Sequence, residues 1–209
     1  FGTSSIYFDG SNNYLSIDTT APSNYLGVGV YAVEMWFNTS SSGHQCLISR
    51  NSSQQYGGLF IDPANSYIVW GGNCTGTDLY GYGVNISLNT WHHVAVACHG
   101  VGEPAYIFLD GVQVGHASSW VDWGFPSSSH TIYIGAQTYN SSRPRYLFEG
   151  YIDEIRWSDV PRYSPQENYA TLSPTDYAGC GTLGDGNLSF TGTGRHCSAR
   201  STQEIVPGA

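Results

Sequence analysis

The chain contains no lysine: its 209 residues carry seven arginines against 16 acidic residues, for a formal net charge of −9 with histidine neutral. Without lysine there is no side-chain amine for Schiff-base chemistry. The acidic balance also lacks the basic footprint that phosphate backbones and anionic lipid demand, so no nucleic acid partner is expected. Charge of either sign is scarce, at 11% of residues. Solubility then falls to Ser, Thr, Asn, Gly and Tyr, a surface more typical of secreted or particle-surface proteins than of cytosolic enzymes. No apolar run approaches the roughly 20 residues of a membrane span, so no membrane insertion is expected. Neither an initiator Met nor a signal-peptide pattern precedes Phe1, which suggests a processed or excised segment. The cysteines Cys46, Cys74, Cys98, Cys180 and Cys197 show no C-x-x-C spacing, so disulfides are expected rather than a metal cluster. No internal repeat is visible.

Aromatic residues are abundant, at 14% of the chain, enough to fill the core of one large β-domain. Six asparagines, Asn38, Asn51, Asn73, Asn85, Asn140 and Asn187, begin N-x-S/T sequons. With Ser and Thr near a fifth of residues, chance supplies roughly two or three. The excess points to an extracellular or secreted glycoprotein, or one displayed on a particle surface. Cys180 and Cys197 bracket a Gly-rich segment and are the first pair to join; Cys74 could reach Cys46 or Cys98, and one thiol is left over or pairs with another chain.

The strand signal is clearest from Trp91 to Gly115. Trp91 to Cys98 and Ala105 to Leu109 are apolar, β-branched or aromatic blocks of strand length, and His99 to Pro104 between them is rich in turn formers. Asp110-Gly111, between Ile107-Phe108-Leu109 and Val112-Gln113-Val114, predicts a type I′ turn and a second hairpin. Tyr31 to Phe37 alternates, with Val33, Met35 and Phe37 on one face and Ala32, Glu34 and Trp36 on the other. Further short strands recur about every ten residues, the spacing of an antiparallel sandwich. Ser164-Pro165-Gln166-Glu167 has the form of a capping box, which predicts a short helix through about Leu172. From Ser173 onward no periodicity is sustained.

W-H-H-V-A-V, Y-I-F-L-D-G and V-Q-V-G in this order, with Ser5-Ile6-Tyr7-Phe8-Asp9-Gly10 and Asn13-Tyr14-Leu15 before them and Phe148 to Trp157 after, resemble the laminin-G-like, or concanavalin A-like, jelly-roll family. That family includes pentraxins, many lectins and certain glucanases. The resemblance implies an all-β antiparallel jelly-roll sandwich over residues 1–163; the residues themselves predict a mostly irregular C-terminal extension over 164–209, beginning with the short helix. The resemblance implies a fold more than an activity.

The family's retaining glucanases carry E-x-D-x-x-E, which sets two carboxylates about 5 Å apart on one strand face. This chain lacks the motif. Glu34 stands alone among apolar residues, and Asp153-Glu154, being adjacent, point to opposite faces; a non-catalytic protein is expected. His92 and His93 also face opposite ways and are read as structural. The resemblance further implies a structural calcium ion with hard oxygen ligands. Asp9 and Asp153 lie in motifs that tend to sit side by side in the family, and Asn12 with backbone carbonyls or water would complete six to eight ligands. The alternative is that Asp9 merely caps its own turn.

A glycan site should combine rings with carboxylates on loops, and two stretches offer them: Asp78, Tyr80 and Tyr82, and Trp120, Asp122 and Trp123. The expected function is an extracellular recognition or adhesion module for glycans or protein partners. The alternative is a structural subunit of a surface filament, appendage or viral particle, self-assembling through the tail beyond Ser173. A glucanase-like enzyme comes third.

Overall fold

The computed structural model describes residues 4–19, 29–51, 56–71, 79–119, 130–139, 143–165, 172–177, 181–184, 189–192 and 199–201. The chain divides into two compact units, Phe1–Pro165 and Gln166–Ala209. The described residues of the first unit form β1 (Ile6–Asp9), β2 (Leu15–Thr19), β3 (Val30–Thr39), β4 (Gln45–Asn51), β5 (Tyr56–Asp62), β6 (Tyr67–Gly71), β7 (Leu79–Tyr82), β8 (His92–His99), β9 (Ala105–Leu109), β10 (Val112–Ala117), β11 (His130–Ile134), β12 (Gln137–Tyr139), β13 (Arg143–Arg145) and β14 (Glu149–Ser158). The described residues contain no helix, hence none long and apolar enough to cross a membrane.

Twelve of these strands make one antiparallel sheet, ordered β1-β14-β3-β8-β9-β10-β7-β6-β5-β4-β11-β2, while β12 and β13 pair separately. The sheet curls over between β10 and β7, where a single rung, Gly115 opposite Gly81, joins the two halves. Glycine is required there by close approach: a Cβ on Gly115 would lie 2.4 Å from the Tyr80 carbonyl oxygen, and one on Gly81 would lie 3.0 Å from Val114. The halves β1-β14-β3-β8-β9-β10 and β7-β6-β5-β4-β11-β2 therefore face each other as the layers of a sandwich, the jelly-roll architecture expected from the sequence.

The core is what alternation predicts. Val33, Met35 and Phe37 of β3 and Val94 and Val96 of β8 are fully buried, facing Leu47 of β4, Leu59 and Ile61 of β5 and Ile68 of β6. Each such side chain contributes about 1.5–3 kcal/mol by leaving water. The predicted type I′ turn is present, with φ of 50° at Asp110 and 80° at Gly111. Asp110 also ties the turn to β8: its Oδ1 accepts the His93 N–H at 2.8 Å and its Oδ2 lies 2.7 Å from His92 Nδ1. His92 Nε2 is 3.1 Å from the Ser87 carbonyl, so this buried ring is a structural clamp between turn and loop.

In the second unit the described strands are β15 (Leu172–Tyr177), β16 (Gly181–Gly184), β17 (Ser189–Gly192) and β18 (Ala199–Ser201), with β15 paired to β18 and β16 to β17. The extension is thus less irregular than its sequence suggests. The predicted helix does not reach Leu172, which opens β15; residues 166–171 lie outside the described residues. Pro174 gives the reason, since it cannot continue a helix and biases Ser173 toward extended backbone.

Candidate functional site

Cross-strand partners share a sheet face, and the registers of β4 to β7 therefore assemble two rows on the outside of the second layer. Cys46 pairs with Phe60, Phe60 with Val69, and Val69 with Tyr80; Asp62 pairs with Tyr67, and Tyr67 with Tyr82. Cys46, Phe60 and Val69 form a small outer apolar cluster with Tyr67 packed on it. Above it stand rings in solvent: Tyr82 is 69% exposed, Tyr146 45% and Tyr80 39%. Tyr80 and Tyr82 are parallel, with centroids 5.1 Å apart at 7°, and Tyr67 meets Tyr82 at 6.4 Å.

His44, just ahead of β4, locks this face together. It stacks on Phe60 at 5.4 Å and 9°, and takes the Tyr146 ring edge-on at 4.6 Å. Its Nδ1 shares a 2.9 Å hydrogen bond with the Tyr67 hydroxyl and lies 3.7 Å from Asp62 Oδ2. Asp62 is buried and accepts both the backbone N–H and the side-chain Nδ2 of Asn65 at 3.0 Å. Burial lowers the pKa of His44 against the opposing pull of Asp62. Burial, reinforced by the Asp62 charge, pushes the Tyr67 hydroxyl up to about 12. Both groups are thereby kept neutral at physiological pH. Tyr146 holds a left-handed φ of 50°, and the Cys46 N–H donates to its carbonyl at 2.7 Å. Exposed aromatic planes over a fixed layer of hydroxyl, imidazole and carboxylate suit the apolar face and hydroxyl rim of a sugar.

A second cluster lies on the outside of the first layer. Glu34, on β3, is 5% exposed although it faces outward, because charged and polar groups close over it. Its Oε1 lies 3.4 Å from Arg156 Nη1 and 3.2 Å from Arg162 Nε; its Oε2 accepts the Tyr163 hydroxyl and lies 3.7 Å from His93 Nε2. A one-residue bulge in β14 makes this possible. Asp153 pairs with Trp36 but Arg156 pairs with Glu34, so the extra residue, Glu154 at φ 49°, turns Arg156 onto the Glu34 face. Glu34, Trp36, His93, Glu154, Arg156 and Tyr163 line a cleft of about 170 Å³. Burial lowers the pKa of His93, with Glu34 and then Asp110 and Glu154 pulling the other way.

The sequence pattern of the concanavalin A-like lectin/glucanase superfamily matches residues 9–166. The chain belongs to that superfamily. Among solved structures it is similar to the heptameric pentraxin of Limulus polyphemus, with a TM-score of 0.58 and 15% identity over 76% of this chain and 77% of that one. Domains LG4-5 of the mouse laminin α1 chain give a TM-score of 0.54 and 17% identity, covering 74% of this chain and 40% of that one. The CBM40 of Ruminococcus gnavus IT-sialidase, solved with α2,3-sialyllactose, gives 0.54 and 14% identity over 66% and 79%. No curated protein matches the chain.

Of the residues expected to serve a superfamily-type site, Tyr80 and Tyr82 do come together, on a strand rather than on a loop. Asp78, Trp120, Asp122 and Trp123 lie outside the described residues. The calcium set is not brought together. Asp9 pairs with Glu149, four residues before Asp153 on β14, which at strand rise separates the two carboxylate positions by about 13 Å. Asp9 Oδ1 instead accepts the N–H groups of Ser11, Asn12 and Asn13 at 2.9, 2.9 and 3.2 Å. These bonds, that of Asn12 first, lower its pKa to about 2. The Asp153 Oδ1 accepts the Glu154 N–H. Asp9, Asn12 and Asp153 therefore do not fit one calcium sphere.

Cys46 is a free thiol in the outer apolar cluster, raised in pKa by burial; Cys74, Cys180 and Cys197 lie outside the described residues. Of the sequons, Asn85 is exposed between buried Val84 and Ile86, and Asn38 is half-buried beside Tyr151 in mid-sheet. Asn73, Asn140, Asn187 and the Asn51 side chain lie outside the described residues. His44, Tyr67 and Tyr146 escaped the sequence reading. The available signal was the alternation in Tyr67-Ile68-Val69 and Tyr80-Gly81-Tyr82, which puts Tyr67, Tyr80 and Tyr82 outward once Ile68 is assigned inward.

Proposed function

We propose that this chain is a non-catalytic, extracellular recognition module that binds a glycan across Tyr80, Tyr82 and Tyr146. The observation that carries the reading is three exposed tyrosine rings held over a layer in which half-buried His44 and Tyr67 are hydrogen-bonded to each other beside buried Asp62. An isolated exposed tyrosine is ordinary, whereas a grouped and anchored set is the mark of a recognition surface. The similarity to a carbohydrate-binding module solved with a sialylated sugar supports the same class of ligand. Extracellular placement rests on the sequon excess and on the charge-poor composition. Catalysis is disfavoured because a retaining glycosidase needs two carboxylates free to act about 5 Å apart, while both oxygens of Glu34 are already engaged.

The test is a panel of immobilised oligosaccharides probed with the full chain, followed by calorimetry on any ligand found. Tyr82→Ala should weaken binding about tenfold, or about 1.4 kcal/mol, with an unchanged melting temperature. Unaltered affinity in that variant would clear the tyrosine face.

A further inference from the structure

We propose that the Glu34 cleft, on the opposite layer from the tyrosine face, is a second and separate site that takes one neutral, polyhydroxylated sugar ring. The proposal rests on the glycan-binding reading for its ligand class and on different residues for its site.

The cleft has three unlike surfaces. Trp36 and His93 form its aromatic side, with rings 5.1 Å apart at 53°. Arg156 contacts Glu34 through Nη1 alone and its side chain is 55% exposed, so other guanidinium N–H groups remain as donors in the cleft. Glu154 is exposed and makes no ion pair among the described residues, leaving its carboxylate as an acceptor. Glu34, held by Arg156, Arg162 and Tyr163, is the fixed base under this arrangement.

Charge and size select the ligand. An anion drawn to Arg156 meets Glu154, and a cation drawn to Glu154 meets Arg156. Both are disfavoured. A hydroxyl donates as well as accepts, so a ring bearing neighbouring hydroxyls satisfies both groups while its C–H face covers the indole. About 170 Å³ is well below the roughly 300 Å³ at which pockets begin to hold drug-sized ligands. One ring fits, and the rest of a glycan extends into solvent. The left-handed φ of 49° at Glu154 belongs to the bulge that opens the cleft and aims Arg156, the kind of local strain that persists where a site needs it.

The consequence is a chain with glycan sites on both outer faces of its sandwich, able to bridge two glycans. The experiment is a titration of the ¹⁵N-labelled full chain with methyl glucoside, methyl galactoside and methyl mannoside in turn. It follows the Trp36 indole N–H, assigned by its loss in Trp36→Phe. At least one glycoside should shift that signal saturably in the millimolar range. Glu154→Gln, which breaks no ion pair, should weaken the shift at least tenfold, and Tyr82→Ala should leave it unchanged. No shift with any of the three, or equal loss in Tyr82→Ala, would overturn the assignment. Failure of the tyrosine face alone gives a different pattern: oligosaccharide binding lost in Glu154→Gln and retained in Tyr82→Ala.

Discussion

A tyrosine at φ 50° pays about 1–3 kcal/mol in backbone conformation, and Tyr146 pays it to lay a ring edge-on to His44 at the margin of the tyrosine face. Tyr146→Gly relieves the backbone while removing the ring, so these effects offset in stability and separate in function. Calorimetry should show weakened glycan binding with a melting temperature within a few degrees of wild type; unchanged affinity would remove Tyr146 from the site. His44 and His93 titrate in one direction. Both have folded pKa values lowered chiefly by burial, so below about pH 6.5 the unfolded chain takes up more protons than the folded one. Stability is complete above that pH and falls as pH drops through the window toward the folded values. Melts from pH 8 to pH 5 should show this decline, and His93→Gln should flatten part of it. A decline of the same size in His93→Gln would assign it elsewhere.

Elements place these residues, and their legibility in the sequence differs by element. β3 was readable because alternation in Tyr31 to Phe37 is unbroken, and the Asp110-Gly111 turn because a type I′ turn needs positive φ at both positions. The β14 bulge was not, since nothing in Asp153-Glu154-Ile155-Arg156 marks which residue is extra. Glu34 consequently looked isolated, its partners Arg156, Arg162 and Tyr163 lying more than a hundred residues along the chain. The expected calcium ligands Asp9 and Asp153 do not meet for a related reason, because motif order does not fix register. Replacing Asp153 with Asn should therefore leave any calcium-induced shift in melting temperature as it is in wild type; loss of a shift in this variant would restore Asp153 to a metal site. The seam between β10 and β7 is less forgiving. Gly115→Ala puts a methyl against the Tyr80 carbonyl, and a backbone clash of this kind costs more than about 2 kcal/mol, several degrees in the melt for a domain this size. A wild-type melt would show that the two layers do not depend on that rung.

At the scale of the molecule, the sandwich carries a tyrosine face on one layer and the Glu34 cleft on the other, both within Phe1–Pro165. A chain ending at Pro165 should therefore keep its glycan affinity and scatter light as a monomer. If instead the whole chain assembles and the shortened one does not, the structural-subunit reading gains. The sequence pointed to loops for recognition because rings and carboxylates cluster there in composition; sheet faces become candidates only when register shows that Tyr67, Tyr80 and Tyr82 rise from adjacent strands. The most direct measurement of the central claim is where a bound oligosaccharide lands. With a ligand from the panel titrated into ¹⁵N-labelled chain, the largest amide shifts should fall in β6, β7 and around His44 and Tyr146. Shifts that leave those residues untouched and gather elsewhere would contradict the tyrosine face as the recognition surface.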